Sequence, residues 1–212
     1  FYHHLLGDTN SGDKAKLLKA AADDLADAAL PMDVFASALW ETQFDKVVYS
    51  ESHDEAGNST GPFLDDQWNP ANEGSKRYTS ERTINVAVNS APLVGTTRKY
   101  AEARCRFAWG MTVLSAGTPM FLFGDEVGAE KRFKYNTVLE NKEDLNELRM
   151  TTGHGLYRFY SEINQLRLNH AALRSKNIDI VHVNNASRVI VFRRWDRNES
   201  FLIVASLANQ PY

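Results

Sequence analysis

The chain has 212 residues, 43% hydrophobic and 24% charged, with 24 basic against 27 acidic residues and a formal net charge of -3. That composition excludes a wholly disordered polymer, which could not bury enough apolar surface, and it supplies no concentrated basic footprint for nucleic acid. A single cysteine excludes an internal disulfide framework, and the lack of any run of about 18 apolar residues speaks against a membrane span.

The chain opens on Phe1-Tyr2-His3-His4 rather than Met and reads as truncated. Ser11 to Leu30 is predicted helical, with Leu18, Ala21, Ala22, Leu25 and Ala29 at helical spacing and Lys19, Asp23 and Asp24 on the other faces. Ser11 or Asp13 is a suitable cap, and Pro31 is expected to end the helix. Asp8, Asn10 and Asp13 miss the EF-hand pattern and fit a helix start better, so no metal is expected there.

Lys46 to Ser50 reads as a short buried strand. The polar, Gly- and Pro-containing stretch from Ser52 to Ser80 reads as a long functional loop, and Ser80 to Asn89 as a short helix. Thr97 to Ser115 is predicted to be a stronger helix, with Tyr100, Ala103, Phe107, Met111 and Leu114 on one buried stripe and Gly117 closing it. Arg98, Lys99, Arg104 and Arg106, mixed with Glu102, are expected on its solvated face. Cys105, among apolar neighbours and without a Cys/His cluster at zinc spacing, is expected to be a small core hydrophobe; a reducing, cytoplasmic compartment follows. Met120 to Phe123 reads as a second apolar strand, Gly124 to Asn146 as a polar connection, and Leu156 to Asn169 as an amphipathic helix led by Leu156, Tyr160, Ile163 and Leu166.

The period then changes to two. Ile178–Val183, Val189–Trp195 and Phe201–Leu207 are expected to form a meander with turns at Asn184-Asn185 and Asp196-Arg197-Asn198. Helix and strand alternate first and strands alone follow, so the expectation is an α/β part over residues 1–174 built from βα units and the start of an antiparallel β-domain over 175–212. Unpaired strand edges would invite self-association.

In βα architectures ligands bind past the C-terminal ends of parallel strands. After the first strand stands Glu51-Ser52-His53-Asp54-Glu55, three carboxylates and an imidazole in five residues. Such a group can orient sugar hydroxyls and stabilise positive charge at an anomeric carbon; equally, Asp54 can cap a turn and His53 can be a satisfied core histidine. After the second strand stands Gly124-Asp125-Glu126-Val127-Gly128, where the acidic pair can bind hydroxyls, cap the next turn or form a salt bridge, the structural role being the simpler. Neither a Gly-rich phosphate cradle nor a G-x-S-x-G elbow is found, and no cofactor is called for.

Val47 to Asn58 (VVYSESHDEAGN) resembles the His-Asp motif after barrel strand seven of the α-amylase superfamily, glycoside hydrolase family thirteen. Ser115 to Gly128 (SAGTPMFLFGDEVG), with Tyr135-Asn136 beyond it, resembles the strand-eight segment, Glu162 to Arg174 the final barrel helix, and Phe1 to Asp8 the segment after strand six in branching enzymes. The resemblance is nearest to 1,4-α-glucan branching enzymes of glycogen biosynthesis.

It implies the C-terminal portion of a (β/α)8 TIM barrel followed by an antiparallel β-domain. It also implies retaining chemistry on an α-glucan (glycogen, starch or maltooligosaccharide). Asp54 is then the transition-state stabiliser and His53 binds the same sugar; Glu51, Glu55, Asp125 and Glu126 are, from their own chemistry, further candidates for substrate binding. In the long loop, Trp68 and Tyr78 can stack on sugar rings or, just as often for loop aromatics, serve as packing anchors. The strand-four nucleophile and strand-five acid/base of the family have no counterpart here, so the isolated chain is expected to be inactive. The alternatives are a piece of a hydrolytic α-amylase and a non-catalytic glucan-binding module.

Overall fold

A computed structural model of the chain describes residues 1–6, 16–23, 27–53, 56, 82–131 and 143–209. Its helices are α1 (Tyr2–Leu5), α2 (Leu17–Asp23), α3 (Met32–Trp40), α4 (Thr83–Val86), α5 (Gly95–Leu114), α6 (Leu145–Met150), α7 (His154–Asn169) and α8 (Ala171–Arg174). Its strands are β1 (Val47–Val48), β2 (Thr118–Pro119), β3 (Ile178–Asn184), β4 (Val189–Trp195) and β5 (Ser200–Ser206). Among the described residues, no helix is long and apolar enough to cross a membrane.

β1 and β2 are parallel neighbours, joined by a crossover that carries α4 and α5. Thr118 N–H donates to Lys46 O at 2.9 Å and Met120 N–H to Val48 O at 2.9 Å. Pro119 lies between those two donors, where a parallel ladder asks for no N–H toward β1, so its missing proton costs no bond. Gly117 enters this strand with no room for a side chain, since a Cβ would lie 2.4 Å from Val48 Cγ2 and 2.6 Å from Lys46 O. The expected strand over Met120–Phe123 is corrected: pairing stops at Pro119, and Met120, Phe121 and Phe123 are exposed. An apolar run extends a strand only while a neighbour supplies ladder partners, and the chain turns away at Gly124 (φ 94°), a left-handed position suited to glycine.

The 20-residue α5 is buried on two sides. Phe107, Ala108, Met111 and Leu114 pack with α1, α2, α3 and the meander, whereas Ala101, Cys105, Trp109 and Val113 pack with α4 and α7. Cys105 is fully buried, as expected of a core hydrophobe. The anticipated stripe holds for Phe107, Met111 and Leu114 but not for Tyr100 and Ala103, which are exposed. The N-terminal half of the helix packs instead through Ala101 and Cys105, the side that α4 and α7 cover.

The expected solvated face is corrected for Arg104 and Arg98. Arg104 is buried because its guanidinium donates to Ala87 O (2.6 Å), Ala21 O (3.1 Å) and Asn209 Oδ1 (3.0 Å). Arg98 pairs with Glu102 at 2.9 Å and Glu130 at 3.0 Å. Lys99 is exposed as anticipated.

The helix expected over Ser11–Leu30 is shorter: the described part is α2, and residues 27–30 are not helical. Pro31 begins rather than ends a helix, standing at the N-cap of α3, which buries Met32, Phe35, Ala36 and Leu39 at i, i+3, i+4 and i+7 spacing. Ser11 and Asp13 lie outside the described residues. In α7, Leu156 and Tyr160 are buried, but Leu166 is exposed, near the end of the helix.

β3, β4 and β5 form the expected antiparallel meander. The anticipated boundary falls between α8 and β3, and one hydrophobic cluster crosses it: Ile178, Ile190 and Phe192 join Phe35, Leu39 and Met111. Two polar anchors add to that contact. In the β3–β4 turn, Asn185 Oδ1 accepts Asp33 N–H at 3.1 Å, satisfying a first-turn donor of α3. On β4, Arg194 donates to the carbonyls of Leu114, Ser115, Leu173, Ser175 and Asn177. It thus places a cation at the C-terminal ends of α5 and α8 together. Burial, with Arg167 nearby, pushes its guanidinium down to about 9, still charged at neutral pH.

Replacing Arg194 by Leu leaves those buried carbonyls without donors. We expect a stability loss of about 3 kcal/mol or more by urea unfolding; a loss below about 1 kcal/mol would show that the anchor is dispensable.

Candidate functional site

Parallel pairing brings the two acidic segments to one end of the β1–β2 pair. Ser50 Oγ, just past β1, donates to Asp125 Oδ2 beyond β2 at 3.3 Å. Val48 is fully buried, and the alternation past it turns Ser50 inward. Glu51 and Ser52 are buried as well, whereas His53 is exposed. Asp54 and Glu55, like Trp68, Tyr78 and Tyr135-Asn136, lie outside the described residues.

Glu51 is 0% exposed and faces protein. Arg82 Nη1 approaches Glu51 Oε1 at 2.9 Å, as an ion pair rather than an aligned hydrogen bond. The backbone N–H of Thr83, at the first turn of α4, donates to Glu51 Oε2 at 2.7 Å. The same guanidinium reaches the other strand end, Nη2 donating to Phe123 O (3.2 Å) and Nε to Ala129 O (3.3 Å). Gly124 must be glycine here for a second reason: a Cβ would sit 2.4 Å from Arg82 Nη2. One arginine therefore ties the end of β1, the end of β2 and the start of α4.

Asp125 is 2% exposed and opens a 3-10 turn closed by Gly128. Glu126 is half-buried and folds back locally, its Oε2 accepting Gly124 N–H at 2.7 Å. The described carboxylates thus divide into two buried groups, Glu51 and Asp125, and one turn-capping group, Glu126. The described polar group presented to solvent past β1 is His53. Behind the rim, Trp109 and Tyr160 stack with centroids 4.7 Å apart and planes within 2°. Both side chains are buried.

Burial pushes the Glu51 carboxyl up to about 8; the Arg82 guanidinium pulls it back, Asp125 adds to the rise and the Thr83 N–H opposes it. Burial likewise raises Asp125 to about 6, against the Tyr160 hydroxyl, Arg82 and Ser50, all of which favour its charged form. Burial also holds Cys105 and Tyr160 well above their ordinary ranges, so neither ionises near neutrality. Among the described residues no group of three or more His, Cys, Asp or Glu side chains could hold a metal ion.

The sequence pattern pointed to the strand ends but not to Arg82 or Tyr160. Arg82 had one available signal: a carboxylate at the end of a buried strand requires a cation, and Arg82 lies in the first turn of the helix expected over Ser80–Asn89. Tyr160 was legible only as a core residue of α7.

Both carboxyls have native values above their unfolded ones, so each contributes stability that is complete below the unfolded value and lost as pH rises through the native one. Stability is expected to fall from about pH 4 to about pH 8, and Glu51→Gln to flatten the upper half of that fall. Urea titrations at several pH values measure this; a wild-type stability that rises across the window would contradict the assignment.

No protein-family model matches the sequence, and no curated protein does. Among solved structures, the chain is similar to a debranching enzyme of Nostoc punctiforme studied after soaking with acarbose. The identity is 16% and the TM-score 0.48, over 83% of this chain and 28% of that one, so the chain spans little more than a quarter of that protein's length.

Proposed function

We propose that the chain is part of an α-glucan-active retaining enzyme of the α-amylase superfamily, most like the 1,4-α-glucan branching enzymes, with Asp54 and His53 at the sugar to be cleaved. What carries the reading is the meeting of motif and geometry. The His-Asp segment begins beyond the C-terminal end of β1, next to the Gly-Asp-Glu segment beyond its parallel neighbour β2. In this reading residues 1–174 belong to the (β/α)8 barrel and residues 175–212 to the following β-domain.

Each residue then has a distinct task. Asp54 opposes the positive charge that develops on the anomeric carbon, and His53 donates to a hydroxyl of the same ring. Glu51 and Asp125, buried beneath, hold the strand ends in place rather than touching sugar. Glu126 shapes the adjoining turn, and Glu55, next to Asp54 in sequence, is assigned to sugar hydroxyls. The nucleophile and the acid/base belong to segments unlike any in this chain, so glucan binding, not cleavage, is assigned to it. Transfer to a 6-hydroxyl, as opposed to water, is the branching outcome.

Maltoheptaose titrated into the isotopically labelled chain is expected to shift amide resonances at residues 51–53 and 124–126, with a dissociation constant on the order of 1 mM. His53→Ala and Asp54→Asn should each weaken binding severalfold, and amylose should remain uncleaved. Shifts confined to other surfaces, or turnover by the chain alone, would defeat the proposal. Should the intact enzyme yield only shortened linear chains and no α-1,6 linkages, the hydrolytic alternative replaces branching.

A further inference from the structure

Buried ion pairs are poor stabilisers. Taking both charges out of water costs about as much as their attraction returns, and apolar side chains of similar size often serve stability as well. Glu51 and Arg82 are nonetheless buried against each other, with side chains 1% and 3% exposed. The fit around them is tight. Thr83, 32 residues on in the sequence, brings its N–H to Glu51 Oε2 at 2.7 Å. Arg82 is held on its other side by Phe123 O and Ala129 O. Even a methyl group at Gly124 would collide with Arg82 Nη2, so the guanidinium has no slack toward β2. Such an arrangement fixes positions more than it adds stability.

The chain leaving β1 shows what is being placed. Ser50, Glu51, Ser52 and Ala56 are all buried, and Ala56 N–H donates to Ser52 O at 3.0 Å. Among the described residues between 50 and 56, His53 alone is exposed. Only Ser52 separates it from Glu51. A displacement of Glu51 is therefore carried to His53 through one buried residue.

We propose that Arg82 is a positioning residue for glucan binding: anchored on the carbonyls of Phe123 and Ala129, it fixes Glu51 and, through it, the place where His53 meets the sugar. Arg82 is itself buried and does not touch the ligand. Its role rests on the glucan reading of the rim and adds to that reading the residue that sets the rim's geometry. The role needs a guanidinium. An ammonium at the same place keeps the charge opposite Glu51 but loses the fork that ties it to two carbonyls.

Arg82→Lys, which preserves the charge, is the variant of choice. Its maltoheptaose affinity, followed by resonance shifts of the labelled chain, should fall about tenfold from the wild-type value. The His53 amide and ring resonances should already be displaced in the variant without ligand. Ile190→Val trims the core cluster shared with the meander, lowers stability, and should leave both readouts unchanged.

The outcomes separate this role from the reading beneath it. Wild-type binding that Arg82→Lys weakens no more than Ile190→Val does overturns the proposal and leaves the glucan site standing. So does a His53 spectrum that Arg82→Lys leaves in place. A wild-type chain that binds no maltoheptaose overturns the glucan reading, and this role with it. Should Arg82→Lys fail to fold, Glu51→Gln decides in its place. That variant keeps an acceptor for the Thr83 N–H, removes the charge paired with Arg82, and is expected to weaken binding and displace the His53 resonances in the same way; unchanged binding and resonances would overturn the proposal.

Discussion

The candidate site depends on one buried arginine. Glu51 and Asp125 sit at neighbouring strand ends, both removed from water, and two carboxylates so placed would repel each other and resist ionisation. Arg82 stands between these constraints, paired with Glu51 at 2.9 Å and bonded to the backbone of Phe123 and Ala129. Its charge opposes the rise that burial imposes on both carboxyls, and its fork of donors ties the β1 and β2 ends together. A lysine could not do this, since a point charge cannot reach a carboxylate and two carbonyls in divergent directions. The exposed His53 therefore follows directly on a braced pair of strand ends.

A second arginine has the same logic at the other end of the crossover. Arg194 comes from the meander, yet its partners are the final carbonyls of α5 and α8. Arg167 of α7 adds donors to Val113, Ser115 and Gly117. Helix C-termini leave carbonyls without intrahelical partners, and here buried guanidiniums supply the missing donors. The end of α5 leads straight into β2, so these bonds set where β2 begins. Gly117, with no space for a Cβ, lets β2 come close to β1. The meander is thus more than an appendage: its polar anchors help to position the strand pair that carries the site.

Much of the fold was legible from periodicity. The three meander strands and the helices α5 and α7 stand close to where apolar spacing put them, because each buries one continuous face. Failures came where tertiary partners overrule local pattern. Met120–Phe123 has strand-like residues, but among the described residues its pairing with β1 ends at the Met120 N–H. Arg104 has the residue type of a solvated face but satisfies buried carbonyls. A proline after an apolar helical run suits a helix stop, yet Pro31 opens α3, a role proline fills equally well. At the site, the acidic clusters were visible as sequence, but chemistry alone could not say which carboxylates face inward. That is decided by partners distant in sequence: Arg82 and the Thr83 N–H for Glu51, Ser50 and Tyr160 for Asp125.

The central claim is that the segment beginning at His53 meets a sugar ring at the C-terminal end of β1. The most direct measurement is a crystal structure of the chain grown with a maltooligosaccharide. The account predicts a glucose unit within hydrogen-bonding distance of His53 and the Asp54 carboxylate, above a Glu51–Arg82 pair that has not moved. A sugar bound only on another surface, or an Asp54 carboxylate turned inward to pair with a buried cation, would contradict it.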